Sequence, residues 1–79
     1  MKQALDLIFP KGLIQEPVIY QLSKENPIVF NIRRAKVTEN VGEIVLELEG
    51  SEADLKNALK WLQNRGVKVE PITHDTFES

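Results

Sequence analysis

Residues 42–70 of the chain read GEIVLELEGSEADLKNALKWLQNRGVKVE, and the fold follows from this stretch. Ile44, Leu46 and Leu48 recur at every second position among glutamates, which is the period of a β-strand. After Gly50 the apolar side chains recur at helical spacing instead, and the period-two alternation returns in the last four residues. The stretch therefore predicts a strand, an amphipathic helix and a second strand.

The two ends of this predicted helix carry recognisable signals. Ser51 is followed three residues later by Asp54, which resembles a capping box with aspartate in place of glutamate or glutamine. Gly66 stands where a left-handed residue commonly ends a helix. The last strand is then expected to end at Pro71, because proline cannot donate a hydrogen bond to a ladder.

The first half of the chain predicts the same order of elements. A period-two run indicates a strand from Gln3 to Phe9. Pro17 suits the first position of a short helix, which Pro27 must end. The strand that follows changes its apolar parity near Arg33 and Arg34, and one extra residue in a strand has this effect, so we predict a β-bulge there.

The order strand, helix, strand, strand, helix, strand is that of the split βαβ arrangement. We therefore expect an α+β, ferredoxin-like βαββαβ two-layer sandwich, in which a four-stranded antiparallel sheet carries two helices on one face. Its 79 residues suffice for one core, so residues 1–79 are taken as a single domain. The structured core is expected at about residues 3–72, with a tail at 73–79.

The composition argues against several classes of function. The absence of cysteine excludes thiolate metal sites, iron–sulfur ligation and cysteine nucleophiles. The net charge of −2 has the wrong sign for a protein that neutralises phosphates, so nucleic acid is not an expected partner. Asp6 interrupts the first apolar run, which predicts no membrane insertion and a cytoplasmic location.

The candidate catalytic groups are isolated from one another. His74 and Asp75 lie in the expected tail without a nucleophile nearby in sequence. Arg33, Arg34 and Lys36 form a basic cluster that could hold an anion, but glutamates of the facing strand favour cross-strand ion pairs. We predict no catalytic residue, no metal site and no cofactor. An acylphosphatase-like hydrolase on the same fold is disfavoured, because the loop at residues 10–16 lacks the arginine that phosphate chemistry would use.

The sheet face that the helices leave uncovered is the expected interaction surface. Parity places on it Ala4, Asp6, Ile8, Val29, Asn31, Glu43, Val45 and Glu47. RNA-binding modules of this fold stack bases on aromatic side chains, and the third strand has none. We predict self-association through Ile8, Val29 and Val45 of this face, or through an adjacent edge strand. The alternative is that these are scattered surface hydrophobes, which are normal.

Several short segments together resemble one known family. They are Phe30-Asn31-Ile32-Arg33-Arg34-Ala35-Lys36-Val37, Gly42, Val45-Leu46-Glu47-Leu48-Glu49-Gly50, Leu62 and Gly66-Val67-Lys68-Val69-Glu70. In this order they resemble a NIL domain, and the resemblance runs from about Leu5 to Ile72. That family occurs at the carboxyl end of methionine-importer ATPase subunits and fused to some small iron–sulfur ferredoxins.

The resemblance implies a role and a site. In the importer branch the domain is a regulatory unit that pairs with its twin and binds methionine. The motif asparagine of that site corresponds to Asn31, flanked by Phe30 and Ile32, and its amide could bind an amino-acid ligand. The alternative is that Asn31 satisfies neighbouring backbone at the bulge. Arg33 stands where the family motif has leucine, and Arg34-Ala35 is closer to the ferredoxin-associated branch.

Two functions from different classes are therefore expected. The first is a free-standing, non-catalytic regulatory domain that acts as a dimer and binds an amino acid. Methionine is the first ligand to test. The second is an assembly module that pairs with an iron–sulfur protein or a transporter subunit and binds no small ligand.

Overall fold

A computed structural model describes residues 1–14 and 16–72, so the predicted tail with His74 and Asp75 lies outside the described residues. The elements along the chain are β1 (Lys2–Phe9), a 3₁₀ turn (Lys11–Leu13), α1 (Val18–Glu25), β2 (Val29–Val37), β3 (Gly42–Glu49), α2 (Glu52–Asn64) and β4 (Lys68–Ile72). No helix in these residues combines the length and the apolar character that a membrane crossing requires.

The four strands form one sheet in the order β2-β3-β1-β4, and each neighbouring pair is antiparallel. Both helices cover the same face, because their buried side chains join those of the strands in a single core. That core consists of Leu5, Leu7, Phe9, Val18, Leu22, Leu46, Leu48, Leu55, Ala58, Leu62 and Val67. The predicted ferredoxin-like βαββαβ sandwich is confirmed.

Local chemistry sets the ends of α2 as expected. The Ser51 Oγ accepts a hydrogen bond from the Asp54 backbone N–H at 3.0 Å, which satisfies one of the free donors of the first turn. Gly66 has a φ of 96°, a conformation that costs a residue with a Cβ about 1–2 kcal/mol. The chain can therefore leave α2 and enter β4 within a few residues.

The predicted bulge is present in β2. The pairing with β3 shifts between Ile32 and Arg34, so Arg33 is the inserted residue of the bulge. Because one extra residue is inserted, Ile32 and Ala35 both lie on the helix side of the sheet. Arg34 is thereby placed on the opposite face, across from Val45.

The last strand runs further than expected. It continues through Pro71 to Ile72, and Pro71 is paired with Leu5 in the ladder, so the prediction that Pro71 ends β4 is wrong. The reason is that β4 lies at the edge of the sheet, where a residue can turn its nitrogen toward solvent and lose no ladder bond.

The opposite edge strand, β2, is poorly covered by the helices. Ile32 and Val37 point to the helix side but are 47% and 59% exposed. The cause is the length of α1, whose eight residues span only about 12 Å. The core is consequently centred on β1 and β3, and β2 extends beyond it.

Candidate functional site

The sheet face opposite the helices, called the open face below, is covered by neither helix. The ladder pairings place on it Lys2, Ala4, Asp6, Ile8, Val29, Asn31, Arg34, Lys36, Glu43, Val45, Glu47, Glu49, Lys68, Glu70 and Ile72. Side chains directly opposite one another in such ladders are close enough to interact. The open face therefore carries both charged and apolar side chains, and the strand register determines which of them are neighbours.

A shallow depression at one end of this face contains Asn31 and is called the Asn31 hollow. Its volume is about 360 Å³, including space open to solvent, and it is lined by Lys2, Val29, Phe30, Asn31, Glu47 and Glu49. Three strands meet there, because Glu49 is paired with Lys2 on one side and with Val29 on the other. Asn31 is paired with Glu47, which brings an amide beside a carboxylate.

The polar groups of the Asn31 hollow offer both signs of charge. The Lys2 ammonium is a donor, the Glu49 carboxylate is an acceptor, and an amide such as that of Asn31 can be both. An Arg33 nitrogen lies 3.3 Å from the Glu47 carboxylate, which confirms the expected cross-strand ion pair for this arginine. Within the described residues the Asn31 side chain makes no hydrogen bond, so its amide is available to a ligand.

The structure separates the three residues proposed to bind a ligand. Asn31 is exposed on the open face, and Phe30 borders the hollow although its side chain packs against the core. Ile32 is paired with Leu46 on the helix side, so the structure does not bring it to the Asn31 hollow. Since neighbouring residues of a strand face opposite sides, Asn31 and Ile32 cannot both contribute side chains to one face.

The structure adds Lys2, Glu47 and Glu49 to the site. These residues are distant in sequence from Asn31, and only the strand register brings them beside it. Alternation had placed Glu47 on this face, but no sequence signal had linked Lys2 to Glu49.

The three residues predicted to form an interface differ widely in exposure. Val29 is 66% exposed, Ile8 is half-buried, and Val45 is only 2% exposed. Val45 lies between Arg34 and Asp6 in the ladder. Val45 therefore offers little apolar surface in the isolated chain, and its place in an interface stays a prediction.

A carboxyl group near the centre of the open face is strongly perturbed. Burial, the side chain of Glu43 and the charge of Glu70 raise the pKa of Asp6 from 3.8 to about 6, while Arg34 acts in the opposite direction. The Asp6 Oδ1 atom is buried, and no donor from the described residues reaches it. Asp6 is therefore more easily protonated than an ordinary surface carboxyl.

A second cavity lies at the other end of the molecule, between α1 and the sheet. Its volume is about 330 Å³, including space open to solvent, and it is lined by Phe9, Leu13, Ile14, Glu16, Val18, Ile19, Val37, Gly42 and Ile44. It exists because α1 does not reach far enough to cover Val37. The cavity is apolar except at Glu16, and it shares no lining residue with the Asn31 hollow. Gln15, between Ile14 and Glu16, lies outside the described residues.

The part of the chain covered by the structure holds no group of three histidine, aspartate or glutamate side chains placed to bind a metal ion. The carboxyls of the open face lie between cationic residues, as in the pairs of Lys2 with Glu49 and Lys36 with Glu43. The open face is thus suited to a ligand that carries both a positive and a negative charge.

Comparison with known proteins gives a consistent result. The family model described as the NIL domain matches residues 3–71. Methionine import ATP-binding proteins MetN from Cupriavidus metallidurans and Ralstonia nicotianae are each 31% identical over 72 residues, which cover 86% of this chain. The match spans only 21% of each relative, so the chain corresponds to about a fifth of their length.

A solved structure has the same fold. It is the C-terminal domain of an ABC transporter ATP-binding protein from Enterococcus faecalis, with a TM-score of 0.78 and 21% sequence identity. The superposition covers 92% of this chain and 86% of that domain. The likeness in fold therefore extends over most of the chain.

Proposed function

Because the chain belongs to the NIL domain family, we propose that it is a non-catalytic regulatory domain that binds an amino acid and acts as a dimer in the cytoplasm. Methionine is the first ligand to test, since the relatives are named methionine import ATP-binding proteins. The observation that carries the proposal is the Asn31 hollow, which combines an amide, an ammonium and carboxylates beside an exposed valine.

The charges of the hollow match the two charges of an amino acid. In the proposed complex the Lys2 ammonium binds the ligand carboxylate, and the Glu49 carboxylate binds the ligand ammonium. The Asn31 amide adds a neutral hydrogen bond to either group. Hydrogen bonds to charged groups contribute about 1.5–3 kcal/mol each, which is enough for selectivity between ligands with and without these charges.

The apolar part of the ligand has a place beside Val29. This side chain is 66% exposed and borders the hollow, so a thioether side chain lying across it would remove apolar surface from water. Each buried methylene contributes about 0.8 kcal/mol, which favours methionine over alanine or glycine.

The openness of the site supports a dimer. Pockets for small ligands bury about 70–90% of the ligand surface, whereas the Asn31 hollow is a shallow depression on a sheet. A second copy packed on the open face would cover the ligand and bury Val29. Ligand binding and pairing would then strengthen one another, which is the coupling that a regulatory domain requires.

The regulated protein is proposed to be a transporter ATPase. The chain matches about a fifth of each ATP-binding relative, and in this proposal the rest of such a protein supplies the nucleotide-binding part. In this proposal the amino-acid-loaded dimer changes its contact with that ATPase.

Titration calorimetry tests the ligand. L-methionine should give saturable heat with a Kd between about 10 μM and 1 mM, a range expected for a partly open site. Methioninamide lacks the carboxylate and N-acetylmethionine lacks the ammonium, so both should bind at least about tenfold more weakly. If folded protein gives no heat with methionine or any other amino acid, the assembly module without a small ligand becomes the better explanation.

Light scattering tests the dimer, and Val29→Asp is the informative variant. Wild-type protein should have the mass of a dimer at micromolar concentration, and Val29→Asp should shift it to monomer by placing a charge in the interface. Val37→Asp is the matched control, because Val37 is also exposed but lies on the helix side. A monomeric wild type, with or without methionine, would reject the dimer.

A further inference from the structure

The carboxyl groups near the centre of the open face form a cluster that the proposed ligand site does not use. We propose that Asp6 and Glu43 hold one proton between them, so that proton binding sets the charge of the open face and makes its association sensitive to pH. The association part rests on the proposed dimer, whereas the shared proton does not depend on it.

The register brings the two carboxyls together. Glu43 is paired with Ile8, two residues beyond Asp6 on the same face of β1. Such diagonal neighbours are close enough for their side chains to interact, and Glu43 raises the pKa of Asp6. Two ionised carboxylates only accept hydrogen bonds, so a hydrogen bond between Asp6 and Glu43 requires a proton on one of them.

The surroundings of Asp6 favour the protonated form. Its Oδ1 atom is buried without a donor from the described residues, and a buried carboxylate that lacks donors is costly. Protonation lowers this cost, because the neutral Asp6 carboxyl is less costly to bury without donors and can itself donate to the Glu43 carboxylate. The pair then carries one negative charge in place of two.

The other charged groups around Asp6 come from all three neighbouring elements. Glu70 lies directly opposite on β4, beside Lys68, and Glu47 lies on β3 on the other side of Val45 from Glu43. Strand β2 contributes Arg34 and Lys36, and Lys2 lies further along β1 itself. Arg34 favours the ionised form, but burial and the carboxylates outweigh it and raise the pKa of Asp6 to about 6.

A single proton changes the balance of charge on the open face. With Arg33, whose guanidinium pairs with Glu47, five cationic and five carboxylic side chains lie on this face, so one bound proton takes its net charge from zero to +1. The larger effect is desolvation, because a second copy packed on this face would bury Asp6 further, and burial is costly for the ionised carboxylate. The dimer should therefore be tighter below about pH 6 than above it.

Carbon-13 NMR titration of the side-chain carboxyls tests the shared proton directly. In wild-type protein the Asp6 resonance should titrate with a midpoint of about 6. In Glu43→Gln the amide donates to an ionised Asp6, so the midpoint should fall by about one unit or more. Glu47→Gln is the matched control, because it removes a carboxylate of the same strand and face, and the Asp6 midpoint should change by less than about half a unit.

Two results would overturn the shared proton. One is an Asp6 midpoint near 4 in the wild type, which is the ordinary value for aspartate. The other is the same midpoint in wild type and Glu43→Gln, which would show that Glu43 takes no part. Both variants change an open-face carboxyl to an amide of the same shape, so folding can be verified in the same spectra.

Light scattering at about pH 5.5 and about pH 7.5 tests the association. The wild type should show a higher dimer fraction at the lower pH, and Asp6→Asn, which is neutral at both, should lose this difference. An equal dimer fraction at both pH values contradicts the pH sensitivity and leaves the dimer intact. Protein that is monomeric at both rejects the dimer of the proposed function, while the NMR result still decides the shared proton.

Discussion

Replacing Asn31 with alanine should weaken the binding of methionine at least about tenfold, equivalent to about 1.4 kcal/mol, in titration calorimetry. The side chain is exposed and lines the hollow between Lys2, Glu47 and Glu49, where its amide makes no hydrogen bond within the described residues. Removing it takes a hydrogen bond from a charged ligand, and such bonds contribute about 1.5–3 kcal/mol.

The same replacement should leave the fold intact. Substitutions of exposed residues that make no internal contacts usually change the free energy of unfolding by less than about 0.5 kcal/mol. Asn57→Ala, on the exposed side of α2, is the matched control for both measurements and should change neither. An unchanged affinity in Asn31→Ala would place the ligand elsewhere. A large loss of stability would mean that the Asn31 side chain has a structural role. This is the alternative in which it hydrogen-bonds neighbouring backbone at the bulge.

Replacing Leu46 with alanine should lower the free energy of unfolding by about 3 kcal/mol, measured by urea denaturation. Leu46 is fully buried on β3, where it joins the side chains of β1 and both helices in the core. A domain of this size has a total stability near the lower end of about 5–15 kcal/mol, so the variant should be close to unfolding at physiological temperature.

Ile32→Ala is the matched control for the core, because Ile32 is the ladder partner of Leu46 and lies on the same face. It is 47% exposed, so its truncation should cost only about 1 kcal/mol. Equal losses in the two variants would contradict the off-centre core and indicate that β2 is covered in solution, for instance by a partner chain. The comparison therefore measures how much of β2 the short α1 protects.

The elements themselves were predictable because each depends on chemistry within a few residues. Ser51 and Asp54 set the start of α2, and Gly66 provides the left-handed residue after it. The bulge near Arg33 could be read from the change of apolar parity. Pro71 misled the prediction of β4, because its effect depends on whether the strand lies at an edge or in the centre of a sheet.

The candidate site was only partly predictable. Family resemblance pointed to Asn31, and parity pointed to Val29, but Ile32 was assigned to the site although the period of a strand turns it to the other face. Val45 was placed on the correct face, yet its exposure depends on how far the side chains of its neighbours extend across it. Exposure is a property of the packed sheet and has no counterpart in a local pattern.

The amino-acid sequence alone determines the helices and strands, the bulge, the helix caps and the parity of each strand, since these depend on contacts between near neighbours. Folding alone brings Lys2 and Glu49 beside Asn31, and Asp6 beside Glu43, because these residues lie far apart in the chain and meet only through the register of the antiparallel ladders. A shift of one residue in that register would turn the side chains of a strand to the other face and separate the residues of both clusters.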